Sequence, residues 1–247
     1  MSLEEQQSKF YALNDWCHTE QGVKVIQAFL SELTPLKDLL HGNTLLQLGY
    51  CGSNLFTSNL RFQHKWIATP YLDKTSNAVM LFNQLPLDRE SIDCLIAPLT
   101  LDILAAKSSL DEIDRVLKPL GYIIFFGINP ISLWGWWLQK ANKKSFAELL
   151  GKPRSVLSIK RAMSHRGYIQ CHLSTFYYVP PCKSEKWLKK FELFNEIGKM
   201  ISPIPAGFYC LVMQKHQENL VGPILLEEEE ETINTVNPVT LQPTCKQ

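Results

Sequence analysis

Apolar positions in the first forty residues recur at steps of three and four. Val23, Ile26, Phe29, Leu30 and Leu33 draw one face of a helix, so 3–40 is expected to be helical, with a break permitted at Pro35. The spacing then changes. Thr44-Leu45-Leu46-Gln47-Leu48 is a short run closed by Gly49, with Gly52 three residues on, which reads as a buried strand ending in a sharp turn. Comparable runs at 65–69, 78–82, 92–97 and 122–127 predict four more strands. The run at 122–127, nearly all aromatic or β-branched, is expected to be central and covered on both faces. Helical spacing at 110–117, 129–144, 155–165 and 187–200 alternates with these strands and with two later ones at 168–178 and 208–213. Such alternation predicts an α/β fold with a doubly wound, mostly parallel sheet. Beyond His216 the periodicity stops. The expected organisation is therefore a domain over 1–216, opening with a helical segment, and an acidic, disordered tail over 217–247.

Composition refines this picture at three points. With 45% hydrophobic and 20% charged residues, the 247-residue chain has the balance of a globular protein with a full core. Residues 1–20 are polar and no run is long enough to span a bilayer, so a cytoplasmic protein is expected. The seven cysteines include no Cys-x-x-Cys pair and the six histidines show no ligand spacing, so neither a disulfide framework nor a metal site is predicted.

The net charge of +1 hides an asymmetry. Six acids against Lys246 give 217–247 a net of −5 and leave +6 on the body. Within the body, 139–166 holds Lys140, Lys143, Lys144, Lys152, Arg154, Lys160, Arg161 and Arg166 against Glu148 alone. A solvated basic face explains this, as does contact with an acidic substrate, nucleic acid or anionic lipid. No recognition motif accompanies the charge, so nucleic acid is not the favoured partner. Trp134, Trp136 and Trp137 just before it suit peripheral membrane contact. The oligomeric state is not legible.

Between Leu85 and Gly121 a family pattern is visible. Leu85-Pro86-Leu87 precedes Ser91-Ile92-Asp93 and the fourth strand, and Glu112-Ile113-Asp114-Arg115-Val116-Leu117-Lys118-Pro119-Leu120-Gly121 leads into the fifth. With the Gly49/Gly52 turn, this order resembles the class I S-adenosylmethionine-dependent methyltransferases, type 11 branch. The following Asn129-Pro130-Ile131-Ser132 is similar to a small group of bacterial relatives. The resemblance implies a Rossmann-like, seven-stranded sheet with a reversed last strand and S-adenosylmethionine over the carboxyl ends of the first four strands. It assigns Gly49, Tyr50 and Gly52 to the methionyl and ribose part, Phe82 and Asn83 to the adenine, and Ala97, Pro98 and Leu99 to the sulfonium. The sequence departs from the family turn at Gln47, Cys51 and Ser53, where the family carries an acid and two glycines. Gln47 then serves as a neutral partner. The ribose-binding acid is missing after the second strand, at Thr69-Pro70-Tyr71, and that loss is worth about ten- to a hundredfold in affinity.

Methyl transfer from a sulfonium is an in-line displacement in which the protein supplies proximity and alignment, so no catalytic triad is required. The expected activity is S-adenosylmethionine-dependent methyl transfer to a small-molecule or lipid-like acceptor. Asn129 is the candidate catalytic residue, with Trp16, Trp134 and Trp137 as walls of the acceptor pocket. Asn129 ahead of Pro130 equally suits a helix N-cap, and the tryptophans equally suit packing. The alternative is a binding module that retains the fold without catalysis, motivated by Gln47, Cys51 and the missing acid.

Overall fold

Strands form where the apolar runs predict them, and seven of them build one sheet in the order β3-β2-β1-β4-β5-β7-β6. The computed structural model describes residues 3–52, 55–72, 76–104, 106–140, 153–182, 186, 188, 190, 191 and 205–216. All of these belong to the unit Met1–Gln217. The tail expected over 217–247, the last turn of the helix expected over 129–144 and most of that expected over 187–200 lie outside the described residues.

The helical start divides into α1 (Leu3–Cys17) and α2 (Glu20–Leu33), continued by a short 3-10 turn at Thr34–Leu36. Thr19 separates them because its hydroxyl accepts the Gly22 N–H, an N-cap that starts α2 afresh. Then follow β1 (Thr44–Leu48), α3 (Leu55–Asn59), β2 (His64–Thr69), β3 (Ala78–Val79), β4 (Ile92–Pro98), α4 (Thr100–Ile103), α5 (Ala106–Val116) and β5 (Leu117–Ile128). The chain closes with α6 (Leu133–Lys140), α7 (Val156–Ser164), β6 (Tyr168–Phe176) and β7 (Phe208–Lys215).

β1 pairs in parallel with β2 on one side and β4 on the other, and β4 pairs in parallel with β5. β7 runs antiparallel between β5 and β6, so the last strand is reversed as the resemblance implies. β1, β4 and β7 are buried along nearly their whole length, whereas β6 alternates as a strand covered on one face does. A stack of rings crosses the core behind them, with Phe29 parallel to Phe126 at 4.5 Å and Phe176 edge-on to Phe29 at 5.5 Å.

Two elements differ from expectation. The third strand covers only Ala78–Val79: the Met80 N–H still bonds the Thr69 carbonyl at the end of β2, after which Leu81 pairs with Gln84 across a tight turn that buries Phe82. The fifth strand starts at Leu117, before Lys118-Pro119-Leu120-Gly121, with an irregularity in its pairing and Leu120 at φ 63°.

Candidate active site

The order β2-β1-β4 means that the chain reverses its direction of travel across the sheet between β1 and β4. In open α/β sheets a ligand crevice opens at such a switch, beyond the carboxyl ends of the strands. The turn after β1 contains Gly49 at φ 94° and Gly52 at φ 59°, both in the left-handed region where a side chain is disfavoured. Gln47, fully buried on β1, donates its Nε2 to the Gly49 carbonyl at 2.8 Å and so holds the turn. Opposite, Ala97 and Pro98 end β4, and Leu99 sits at φ 55°, a conformation that costs a non-glycine residue about 1–2 kcal/mol. The Thr100 hydroxyl donates to the Leu48 carbonyl at 2.8 Å and ties the two strand ends together. Gln47, Gly49, Ala97, Pro98 and Leu99 are thus neighbours around one crevice. Thr100, not singled out from the sequence, bridges it.

α1 covers this crevice. Phe10 is 1% exposed, and its ring lies 3.0 Å from where a Cβ on Gly49 would stand, while meeting Phe82 edge-on at 4.9 Å. Gln6 donates to Asn83 Oδ1 at 3.1 Å and Gln7 to the Pro70 carbonyl at 3.0 Å; the Tyr11 ring rests on Tyr71 at 4.5 Å. At the helix end, Cys17 Sγ is 3.1 Å from Cys51 Sγ. Burial, reinforced by Cys51, pushes the Cys17 thiol well above the ordinary thiol range. Tyr50, half-buried, stacks on His18 at 6.4 Å. Gln6, Phe10, Leu13 and Cys17 form one buried stripe at steps of four, three and four, a signal present in the sequence whose partners lie far along the chain.

The Leu85–Leu87 segment following Phe82 and Asn83 is clamped from α5. Arg115 donates to the carbonyls of Leu85 at 2.7 Å and Leu87 at 2.8 Å, and Glu112 accepts the Leu85 N–H at 2.9 Å while pairing with Arg115. The Arg115 hydrogen bond, with help from the Leu85 N–H and against burial, holds the Glu112 carboxyl below its usual range. The motif that carries the resemblance is therefore a local clamp that sets the loop after Phe82 and Asn83.

Asn129 forms a turn. Its Nδ2 donates to the Ala206 carbonyl at 3.1 Å, and its Oδ1 accepts the Ile131 N–H at 3.2 Å. The hydroxyl that accepts from the start of α6 belongs to Ser132, bonded by the Gly135 N–H at 3.2 Å. The three tryptophans do come together: Trp134 meets Trp16 at 5.9 Å and Trp137 at 6.1 Å. Trp134 is 1% exposed and donates to the Val179 carbonyl, which makes it core, whereas Trp16 and Trp137 keep part of their surface open. A further group was missed. Asp102, 2% exposed on α4, accepts the N–H groups of Ile128 at 3.0 Å and Arg154 at 3.1 Å. Burial pushes its pKa up to about 7, although both N–H groups and the Arg154 charge oppose the shift. Among the described residues no cluster of His, Cys, Asp or Glu could hold a metal ion.

An adenosyl-sulfonium group would fit the switch point only with Phe10 withdrawn: the two left-handed glycines carry no Cβ beside the aromatic Phe82, but the Phe10 ring covers Gly49 and Ile26 covers Gly52. The end of β2 offers Thr69, Pro70 and Tyr71 with no carboxylate, so the ribose hydroxyls would meet neutral partners there.

Residues 47–125 match the family model described as Methyltransferase domain. No curated protein matches the chain. Solved structures do. A SAM-dependent methyltransferase from Thermotoga maritima is 20% identical over 86% of this chain and 98% of its own, with a TM-score of 0.56. The methyltransferase solved with the Haloferax volcanii Trm112 methyltransferase activator is 15% identical over 87% and 99%, with a TM-score of 0.58. Geranyl diphosphate C-methyltransferase from Streptomyces coelicolor, solved with Mg2+, geranyl diphosphate and S-adenosyl-L-homocysteine, is 16% identical over 87% and 97%, with a TM-score of 0.55. The structural likeness establishes the Rossmann-like methyltransferase fold. Together with the family match it supports an S-adenosylmethionine-dependent methyltransferase with that cofactor.

Proposed function

We propose that this chain binds S-adenosylmethionine in the crevice between β1 and β4 and methylates a small-molecule or lipid-like acceptor. The observation that carries the reading is the pair of left-handed glycines on the turn after β1, facing the strained Leu99 turn after β4. What supports an enzyme over a binding module is the methyltransferase-domain match across 47–125.

In this reading Gly49, Tyr50 and Gly52 line the methionyl and ribose part, with Gln47 fixing the turn from beneath. Phe82 and Asn83 flank the adenine, on the loop that Arg115 clamps. Ala97, Pro98 and Leu99 lie beside the reacting methyl group. Trp137 and the open part of Trp16 wall the acceptor side, with Trp134 buried behind them as their support. When bound, the cofactor supplies an electrophilic methyl on sulfur. The chain's own work is to hold donor and acceptor in line and to exclude water, which suffices when the acceptor atom carries a lone pair. Asn129, whose amide is engaged with backbone, positions the acceptor-side turn.

Ile131, Leu133 and Trp136 lie exposed within six residues, at 81%, 49% and 56%, and favour a lipid-like acceptor met at a membrane surface. Isothermal titration with S-adenosylmethionine is the direct test, followed by transfer of labelled methyl into aqueous and lipid fractions of a cell extract. Saturable binding that Gly49→Asp abolishes is expected; no heat at millimolar cofactor would end the reading.

A further inference from the structure

We propose that Cys17 and Cys51 form a redox-active dithiol whose oxidation to a disulfide locks α1 down on the cofactor turn and closes the site. The gating half of this proposal rests on the cofactor reading above; the dithiol half does not.

The two thiols meet where the gate would need a bolt. Cys17 is the last residue of α1 and Cys51 lies within the turn, between Gly49 and Gly52. Their sulfurs are 3.1 Å apart and both side chains are buried, at 0% and 1% exposure. A disulfide bond is about 2.05 Å long, so closing the pair asks for a movement of roughly 1 Å. Neither cysteine lies in the interior of a regular element: Cys17 is the last residue of α1, and left-handed Gly52 follows Cys51 in the turn.

α1 is also the element that fills the crevice. The Phe10 ring stands between Gly49 and Phe82, the residues assigned to opposite ends of the adenosyl group, and Gln6 bonds Asn83. Its second amide atom, Gln6 Oε1, is buried without a hydrogen-bond partner, so this contact leaves polar capacity unmet. For the cofactor to rest on Gly49, Phe10 must withdraw, and withdrawing the helix draws Cys17 away from Cys51. Cofactor and disulfide therefore exclude each other, and by linkage each disfavours the other.

The chemistry needs a peroxide as oxidant. One thiolate attacks the peroxide oxygen; the O–O bond breaks, water leaves and a sulfenic acid forms. The second thiol attacks that sulfur, the S–S bond forms, and the hydroxyl departs with the remaining proton as a second water. The two sulfurs together lose two electrons, which the peroxide gains. With α1 down both thiols are buried away from peroxide, and the raised Cys17 thiol carries little thiolate. Oxidation starts from the lifted state and completes when the helix returns.

The experiment uses the full chain, treated with hydrogen peroxide and then with dithiothreitol. Peptide mapping under non-reducing conditions reads the Cys17–Cys51 link, and titration with S-adenosyl-L-homocysteine reads the site. Expected are a linked 17–51 peptide, affinity weakened by about tenfold or more, and recovery on reduction. Cys17→Ser should retain reduced-state binding and lose the peroxide effect, and Cys51→Ser should lose the peroxide effect as well. Phe10→Ala should tighten binding of the reduced chain, and saturating homocysteine analogue should lower the yield of linked peptide. A chain that gives no 17–51 link overturns the proposal, as does a link that leaves affinity unchanged. If the reduced chain binds no cofactor, the cofactor reading fails and takes the gating half with it, while the peptide map still decides the dithiol.

Discussion

Asp102 forms no salt bridge among the described residues and is almost wholly out of water, and that burial, which the Arg154 charge only partly offsets, makes stability depend on pH. Its pKa of about 7 lies above that of an unfolded aspartate, near 4, so the folded chain holds this proton more tightly. The contribution to stability is full below about pH 4 and is lost as pH rises towards 7. The melting temperature should therefore carry a falling component between about pH 4 and 7 that Asp102→Asn removes, read from paired melts of both proteins. The amide should also cost about 1–3 kcal/mol at every pH, because its NH2 must face one of the two N–H groups the carboxylate now accepts. Gly49 makes a different demand. A Cβ there meets both an unfavourable φ of 94° and the Phe10 ring, so Gly49→Ala should cost about 1–2 kcal/mol and also weaken cofactor binding. Denaturant melts and titration separate the two effects. The glycine pair was legible because conformation alone restricts such positions. Asp102 was not, since its burial depends on Arg154, fifty-two residues away.

Elements were readable to the degree that their contacts are local. The Leu85–Leu87 loop and the Glu112–Arg115 turn of α5 are no more than thirty residues apart, and their spacing is what made the motif visible. Arg115 presents a planar fork to two carbonyls and a carboxylate, which a lysine cannot reproduce. Arg115→Lys should thus lose about 1–3 kcal/mol of stability and loosen the loop after Phe82 and Asn83. Its cofactor affinity should fall while the far-UV spectrum stays unchanged. Equal affinity in the two proteins would separate the clamp from the site. The third strand was over-read because an apolar run says only that side chains are buried. Met80 and Phe82 are buried, but where the chain turns, Phe82 against Phe10. The role of α1 escaped for the opposite reason. Its stripe reads as ordinary core, and only the fold brings Phe10 beside Gly49 and Gln6 beside Asn83, seventy-seven positions on.

At the scale of the whole molecule, the proposed site rests on one topological reversal and the proposed encounter on one surface. In the proposed reading the reversal between β1 and β4 sets where the cofactor would lie whatever the acceptor, so the sheet order says nothing about what is methylated. The surface is more informative. Ile131, on the segment that joins β5 to α6, and Leu133 and Trp136, on α6 itself, stand exposed directly ahead of the basic stretch 139–166. Of that stretch, Lys160 and Arg161 lie on α7 beside Leu157, which is 56% exposed. Among the described residues no helix is long and apolar enough to cross a membrane, so any such contact through these helices would be peripheral. Interfacial binding of this kind grows with buried apolar area and with attraction to anionic headgroups, and salt screens the second term within about 10 Å. The chain should accordingly float with vesicles containing anionic lipid, less with neutral vesicles, and less again at high salt. Trp136→Ala should lower the floated fraction severalfold without shifting the melting temperature, because a half-exposed indole contributes little to the core. Flotation that ignores both the substitution and the headgroup charge would confine the acceptor to water-soluble molecules and leave Trp136 as an ordinary surface residue.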